Sequence, residues 1–174
     1  MNIHGNIIMG NQKENKGDKQ EMKGCIIKNG EISIKDVCNC IEDIREYNWL
    51  ITNIDCYPSD EDIVKKLDNK YCWIAGKDLL QLLNKEEFQW IWGVFSAFPR
   101  GVGLKEVLKY NCPYAEGYKG FWKNPISIQH PLAITEIVAW DGLIVLVISR
   151  KDEVINSLME KKTFAQDLEI YNRL

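Results

Sequence analysis

Cysteine and histidine are the residue types in this chain that could combine for nucleophilic catalysis. Cys112 and His130 flank an aromatic segment, and His4 is the other imidazole of the chain. A thiol beside an imidazole can act as nucleophile and base, but the pair also needs an orienting group and an oxyanion site. No sequence pattern supplies either group. We therefore predict no catalytic residues and favour a binding protein over an enzyme.

One carboxylate stands in an apolar setting. In the alternating stretch before Asp141, Glu136 shares a strand face with Val138 and Trp140. Burial there would raise the pKa of Glu136 or require a cation beside it, whereas a position near a sheet edge would let it reach water. We expect the Glu136 carboxylate to reach water, because this is the commoner arrangement. If Glu136 is buried instead, we expect it to form a buried polar site with His130. Glu136, Glu116 and Asp141 also form a predicted acid set beside the aromatic segment.

The sequence contains no established motif for a phosphate-binding or metal-binding site. Arg100–Gly103 is glycine-rich, but it lacks the Gly-Lys-Ser/Thr ending of a P-loop, so a turn is expected. The six cysteines contain no C-x-x-C pair, which argues against zinc. We predict reduced, buried thiols, no metal and no cofactor.

The aromatic segment YAEGYKGFW is the strongest candidate for a binding surface, because exposed aromatic residues are typical anchors of protein interfaces. Trp140 is a further candidate anchor. The alternative is that these rings fold inward and close the core. The predicted partner-binding residues are Tyr114, Glu116, Tyr118, Phe121, Trp122 and Asp141.

Charge and hydropathy limit the partners. A net charge of −3 and a pI near 5.5 give no basic footprint for nucleic acid. The longest apolar run, Leu143–Ile148, is far shorter than the roughly 20 residues that cross a bilayer. The first residues lack a signal-peptide pattern. We therefore predict a cytoplasmic protein with a protein partner, and a homodimer as an alternative.

The chain divides into two parts of different composition. Residues 1–21 are rich in Asn, Lys, Gln and Gly, and we expect a disordered extension there. Translation from Met22 instead of Met1 would explain this segment. Residues 22–174 form the predicted single domain.

Hydrophobic periodicity predicts the elements that position these side chains. The predicted strands are 24–28, 49–57, 71–75, 88–98 and the two arms of a hairpin over 133–149. An Asn29–Gly30 turn follows the first strand. Helices are predicted over 35–47 with a Ser33–Asp36 cap, after Ser59, over 78–86, over 104–110, after Ser149 and near the C-terminus. The fold class is α+β, a mainly antiparallel sheet of about five to six strands packed with three to four helices.

The hairpin turn fixes a predicted register. Asp141–Gly142 is a strong signal for a two-residue turn, which places Trp140 opposite Leu143 and Glu136 opposite Val147. The strand over 88–98 is apolar on both faces, so we expect it inside the sheet with neighbours on both sides.

Three strings resemble a group of small uncharacterised proteins of Bacillus-type bacteria: FQWIWGVFSAFP, PYAEGYKGFWKNPISIQHPLAITEIVAWDG and AQDLEIYN. The resemblance covers roughly Met22 to the C-terminus. It implies an immunity protein or antitoxin that occludes the active site of a cognate toxin, with a cationic toxin domain as partner. A small-ligand-binding protein or hydrolase-like enzyme, with the aromatic loop as its pocket, is the alternative function.

Overall fold

The computed structural model describes residues 21–28, 33–162 and 164–174. Apart from Glu21, the predicted extension over residues 1–21 lies outside the described residues, and so does the predicted Asn29–Gly30 turn.

Strands and helices are mixed along the chain, which confirms the α+β class. The strands are β1 (Lys23–Ile27), β2 (Tyr47–Cys56), β3 (Tyr71–Ala75), β4 (Trp90–Pro99), β5 (Thr135–Trp140), β6 (Ile144–Ser149) and β7 (Ala165–Asp167). The α-helices are α1 (Ile34–Cys40), α2 (Glu61–Leu67), α3 (Gly76–Lys85), α4 (Leu104–Val107), α5 (Asp152–Lys161) and α6 (Leu168–Tyr171), with 3-10 turns at Ile44–Glu46 and Gly120–Trp122.

The described residues thus form more elements than the predicted five to six strands and three to four helices. The additional strand, β7, has three residues and no hydrophobic alternation, so a periodicity argument cannot detect it. Helices α4 and α6 have four residues each, and they lie in the segments over 104–110 and near the C-terminus where short helices were predicted.

All seven strands belong to one antiparallel sheet in the order β3-β2-β4-β5-β6-β1-β7. Strand β4 pairs with β2 on one side and with β5 on the other. This confirms the prediction that an apolar strand near residues 88–98 lies inside the sheet.

The two faces of the sheet are covered differently. On the first, which we call the helical face, buried residues of α1, α2, α3 and α5 pack against Trp49, Phe95 and Val147. On the second, the loop face, Leu146 and its strand neighbours are covered by the connection over residues 100–134 and by α6. We call this connection the covering loop. A segment with little regular structure therefore serves as a full core layer.

The first helix confirms its predicted start but not its end. Ser33 accepts the Asp36 backbone N–H, and the Asp36 side chain accepts that of Ser33, which is the capping box. The predicted continuation to residue 47 is wrong, since the backbone is extended at Ile41 (φ −90°, ψ 109°). The Ile44 carbonyl instead accepts the Trp49 indole N–H at 3.1 Å. Gly76 packs so close that a Cβ there would stand 1.9 Å from the same oxygen.

Three other predicted helix starts are shifted. Asp60, not Ser59, caps α2, because its side chain accepts two backbone N–H groups of the first turn. Helix α3 begins at Gly76, two residues before its predicted start at Asp78, which lies within the first turn. Ser149 ends β6, and α5 begins three residues later at Asp152.

The hairpin is present, but its predicted register is wrong. Trp140 pairs with Ile144 and Glu136 with Ile148, one residue beyond the expected partners. Asp141 and Gly142 both have positive φ, as a tight turn requires. Leu143 is an additional residue without a partner across the hairpin, and it is 64 % exposed. This insertion brings Ile144, Leu146 and Ile148 onto the loop face beside Val138.

Candidate functional site

Glu136 lies on β5 and is fully buried under the covering loop. Its carboxylate accepts three hydrogen bonds: from Ser96 Oγ at 3.3 Å, from the Gln129 backbone N–H at 2.8 Å and from the His130 backbone N–H at 2.9 Å. The prediction that it reaches water at a sheet edge is therefore wrong. Burial outweighs these hydrogen bonds and raises the pKa of Glu136 to about 7.

His130 is also fully buried, and both of its ring nitrogens have partners. Nε2 is 3.0 Å from the Val107 carbonyl oxygen, and the Leu132 backbone N–H donates to Nδ1 at 3.2 Å. These partners assign the neutral tautomer with its proton on Nε2. Burial lowers the pKa of His130, which favours the neutral ring. With both nitrogens engaged, the imidazole has no lone pair with which to deprotonate the thiol of Cys112.

The structure thus brings Glu136 and His130 together, through the backbone of His130. The carboxylate holds the loop backbone, and the imidazole joins Leu132 to Val107 within the same loop. The buried polar site predicted from sequence therefore secures the covering loop on the sheet.

Two amide side chains provide further anchors. Asn53, in the irregular part of β2, has a φ of 50°, and its Oδ1 accepts the backbone N–H groups of Ala115 and Glu116, both at 2.8 Å. The Gln129 side chain accepts the Tyr114 N–H at 3.1 Å and donates to the Tyr114 carbonyl at 2.6 Å. Sequence reasoning missed both, and the Asn53 contact spans 62 residues. The asparagine itself was the available signal, since this residue tolerates the left-handed region.

Above these anchors, aromatic rings form a continuous series. The ring centroid of Tyr118 lies 5.3 Å from that of Tyr114 and 4.7 Å from that of Phe121. The ring centroids of Phe121 and Trp140 are 6.3 Å apart. The ring centroid of Trp140 in turn lies 5.0 Å from that of Trp122 and 5.1 Å from that of Trp92. Four of these five pairs join residues that were predicted as partner-binding or anchor residues. The fifth pair contains Trp92, which was not among them.

We define the aromatic surface as the solvent-reaching members of this series: Tyr114, Tyr118, Trp122, Trp140 and Trp92. Tyr114 is 49 % exposed and the other four are partly exposed. Phe121 is fully buried beneath them, so its prediction as a partner-binding residue is wrong. Phe121 instead points inward and fills the core on the loop face, which was the alternative expected for these rings.

The rings are held in place. The Tyr118 ring packs on Gly120, where a Cβ would stand 2.4 Å from the phenol. The rings of Tyr118 and Phe121 pack edge to face, with an angle of 73° between their planes. Burial raises the pKa of Tyr118, and the nearby Glu136 charge adds to this rise. A surface fixed in this way loses little conformational entropy on binding.

The predicted acid set is divided between two environments. Glu116 and Asp141 are exposed, whereas Glu136 is buried. Asp141 directly follows Trp140, and the backbone of Glu116 is fixed by Asn53. Asp55 pairs with Trp92 across β2 and β4, which places it on the same sheet face. Carboxylates therefore stand beside both ends of the aromatic surface.

A cavity of about 370 Å³ lies on the helical face, where Phe88, Trp90, Ala139 and Val145 contribute to its lining. The aromatic loop is on the opposite face and packs its rings on one another and on the sheet. This arrangement favours a surface that receives a partner over the alternative of a pocket within that loop.

A family model described as Protein of unknown function (DUF2691) matches residues 25–114, just over half of the chain. No curated protein and no solved structure matches the chain. In the described ranges, no helix is long and apolar enough to cross a membrane.

Proposed function

We propose that this chain, which belongs to the DUF2691 family, is a non-catalytic module that binds another protein. The observation that carries this proposal is the aromatic surface, a series of partly exposed rings fixed on a rigid sheet by Asn53, Gln129 and Glu136. Large aromatic side chains in a preorganised patch are the residues that most often dominate binding energy.

The partner we propose is a cationic protein, with an immunity protein or antitoxin acting on a toxin domain as the biological setting. Exposed Glu116 and Asp141 beside the rings support it, as do the net charge of −3 and the resemblance of the sequence to small bacterial proteins. Acidic groups at the rim would steer a basic partner and increase its association rate. Binding would occlude the active site of the toxin in the cytoplasm.

The test is binding to the purified product of the adjacent gene, measured by calorimetry with the full chain. Trp122→Ala removes a partly exposed ring of the aromatic surface and should weaken binding at least tenfold, as expected for an anchor residue. Met159→Ala is the matched control, because Met159 is 39 % exposed on α5, which covers the other face of the sheet. Equal losses in both variants, or none in Trp122→Ala with a confirmed partner, would overturn the proposal.

A further inference from the structure

A second surface lies where β2 leads into α2. It is a groove of about 330 Å³ with an apolar wall of Tyr57, Pro58, Val64 and Leu67. Asp55 and Asp68 lie among its lining residues. We call it the Tyr57 groove.

Tyr57 is exposed yet fixed. The residue is 67 % exposed, the second most exposed of the large apolar and aromatic residues in the described ranges. Its backbone N–H donates to the Gln89 carbonyl at 3.0 Å, which extends the pairing of β2 with β4. The next residues are held by Glu86, whose carboxylate accepts the N–H groups of Ser59 at 2.7 Å and Asp60 at 2.8 Å. A large ring exposed on a fixed backbone is preorganised for contact.

The charge of the groove is one-sided. Its described lining contains two carboxylates and no cationic side chain. The neighbouring Lys66 lines a different groove, between α2 and α3. Cys56, also in the lining, has its pKa raised to about 12, chiefly by burial and further by the Asp55 charge. An apolar wall with carboxylates at its rim complements a side chain with a long apolar stem and a cationic head.

We propose that the Tyr57 groove binds an arginine side chain of a protein partner. The stem would lie on Tyr57 and Val64, and the guanidinium would bond to Asp55 and Asp68. Arginine fits better than lysine, because a planar guanidinium both stacks on an aromatic ring and bridges carboxylates. This site adjoins the Trp92 end of the aromatic surface, because Asp55 pairs with Trp92, and it lies within residues 25–114 that match the family.

The test uses the full chain and a defined probe. The peptide acetyl-Gly-Arg-Gly-amide is titrated in ¹H–¹⁵N NMR, with the citrulline peptide as a neutral control of the same shape. We expect saturable shifts at the amides of Tyr57, Val64 and Asp68 with the arginine peptide, and at least tenfold weaker binding of the citrulline peptide. Equal shifts with both peptides, shifts centred elsewhere, or no saturable shift would overturn the proposal.

Variants separate the groove from net charge and from the aromatic surface. Asp55→Asn with Asp68→Asn should weaken arginine binding at least tenfold. Glu61→Gln with Asp62→Asn removes two exposed charges from α2 outside the groove lining and should change binding less than twofold. Trp122→Ala should leave it unchanged, so failure here and failure of the proposed function are distinguishable. Concentration-dependent shifts of the same amides without peptide would identify a second copy as the occupant and reject the arginine site.

Discussion

The Glu136 carboxylate accepts the backbone N–H of His130 at 2.9 Å, and both side chains are fully buried between the sheet and the covering loop. One group is an acid whose pKa is raised by burial, and the other is a base whose pKa is lowered by burial. Each is therefore biased toward its neutral form, and the two should affect stability in opposite directions as pH changes.

Glu136 should make the protein less stable as pH rises. Its folded pKa of about 7 lies above the ordinary 4.5, so the folded state retains a proton that the unfolded chain has released. The stabilisation is complete below pH 4.5 and is lost as pH rises through 7. At about 1.4 kcal/mol per pKa unit, the loss is roughly 3 kcal/mol. Urea unfolding of the wild type and Glu136→Gln from pH 4 to 8 measures it, and the variant should lack this decrease.

Glu116→Gln is the control for that series, because Glu116 is exposed and only its backbone is bonded to Asn53. It should follow the wild-type curve. Parallel curves for the wild type and Glu136→Gln would mean that the buried carboxyl does not titrate in this range.

His130 should remain neutral below the pH at which free imidazole titrates. Its folded pKa is lowered from 6.5, so its contribution to stability is present above pH 6.5 and is lost as pH falls below that value. Ring ¹⁵N shifts in a long-range ¹H–¹⁵N correlation spectrum should show a protonated Nε2 and an unprotonated Nδ1 at pH 7. The urea-unfolded chain is the reference. Titration of His130 at the same pH in the folded and unfolded chains would contradict a lowered pKa in the folded protein.

Asn53 should contribute to stability through its side chain and through its backbone conformation. Asn53→Asp keeps an acceptor for the N–H groups of Ala115 and Glu116, and Asn53→Gly keeps access to the positive φ. Asn53→Ala loses both, and we expect it to reduce the free energy of unfolding by about 2–3 kcal/mol. Chemical denaturation should rank the losses as Ala above Gly and Gly above Asp. Equal losses for Ala and Asp would exclude the hydrogen-bond contribution.

The cysteines should differ in their rates of alkylation. Cys25 and Cys38 are fully buried, and burial raises the thiol pKa of both. Cys56 and Cys112 are both partly exposed, but the pKa of Cys56 is raised to about 12 by burial and by Asp55. Because the thiolate is the reactive form, iodoacetamide should modify Cys112 before Cys56 in the folded protein. Peptide mass spectrometry gives the order, and prior reaction at Cys56 would contradict it.

Local patterns predicted several elements correctly and failed where distant contacts decide. The limits of β3, the Ser33–Asp36 capping box and the hairpin turn all depend on residues close in sequence, and the structure has each of them. The helix expected over 35–47 ends early because the Ile44 carbonyl bonds to Trp49 and packs against Gly76, contacts that helical periodicity does not encode.

The candidate site shows the same division. The aromatic segment and Glu136 stood out by residue type alone. Whether Phe121 faces the core or solvent depends on how residues 100–134 lie on the sheet, and this is fixed partly by Asn53 at a separation of 62 residues. Trp92 lies in the strand that was expected inside the sheet, but its side chain is only partly buried.

The strand order also limits how this protein can be shortened. Strand β1 lies within the family-matched residues 25–114 except for its first two residues, yet its sheet partners β6 and β7 come later in the chain. A fragment that ends at residue 114 would leave β1 without either neighbour, and β4 would lose β5. Expression of the matched range alone should therefore give an insoluble or unfolded product, and any minimal gene must encode the chain through β7 and α6.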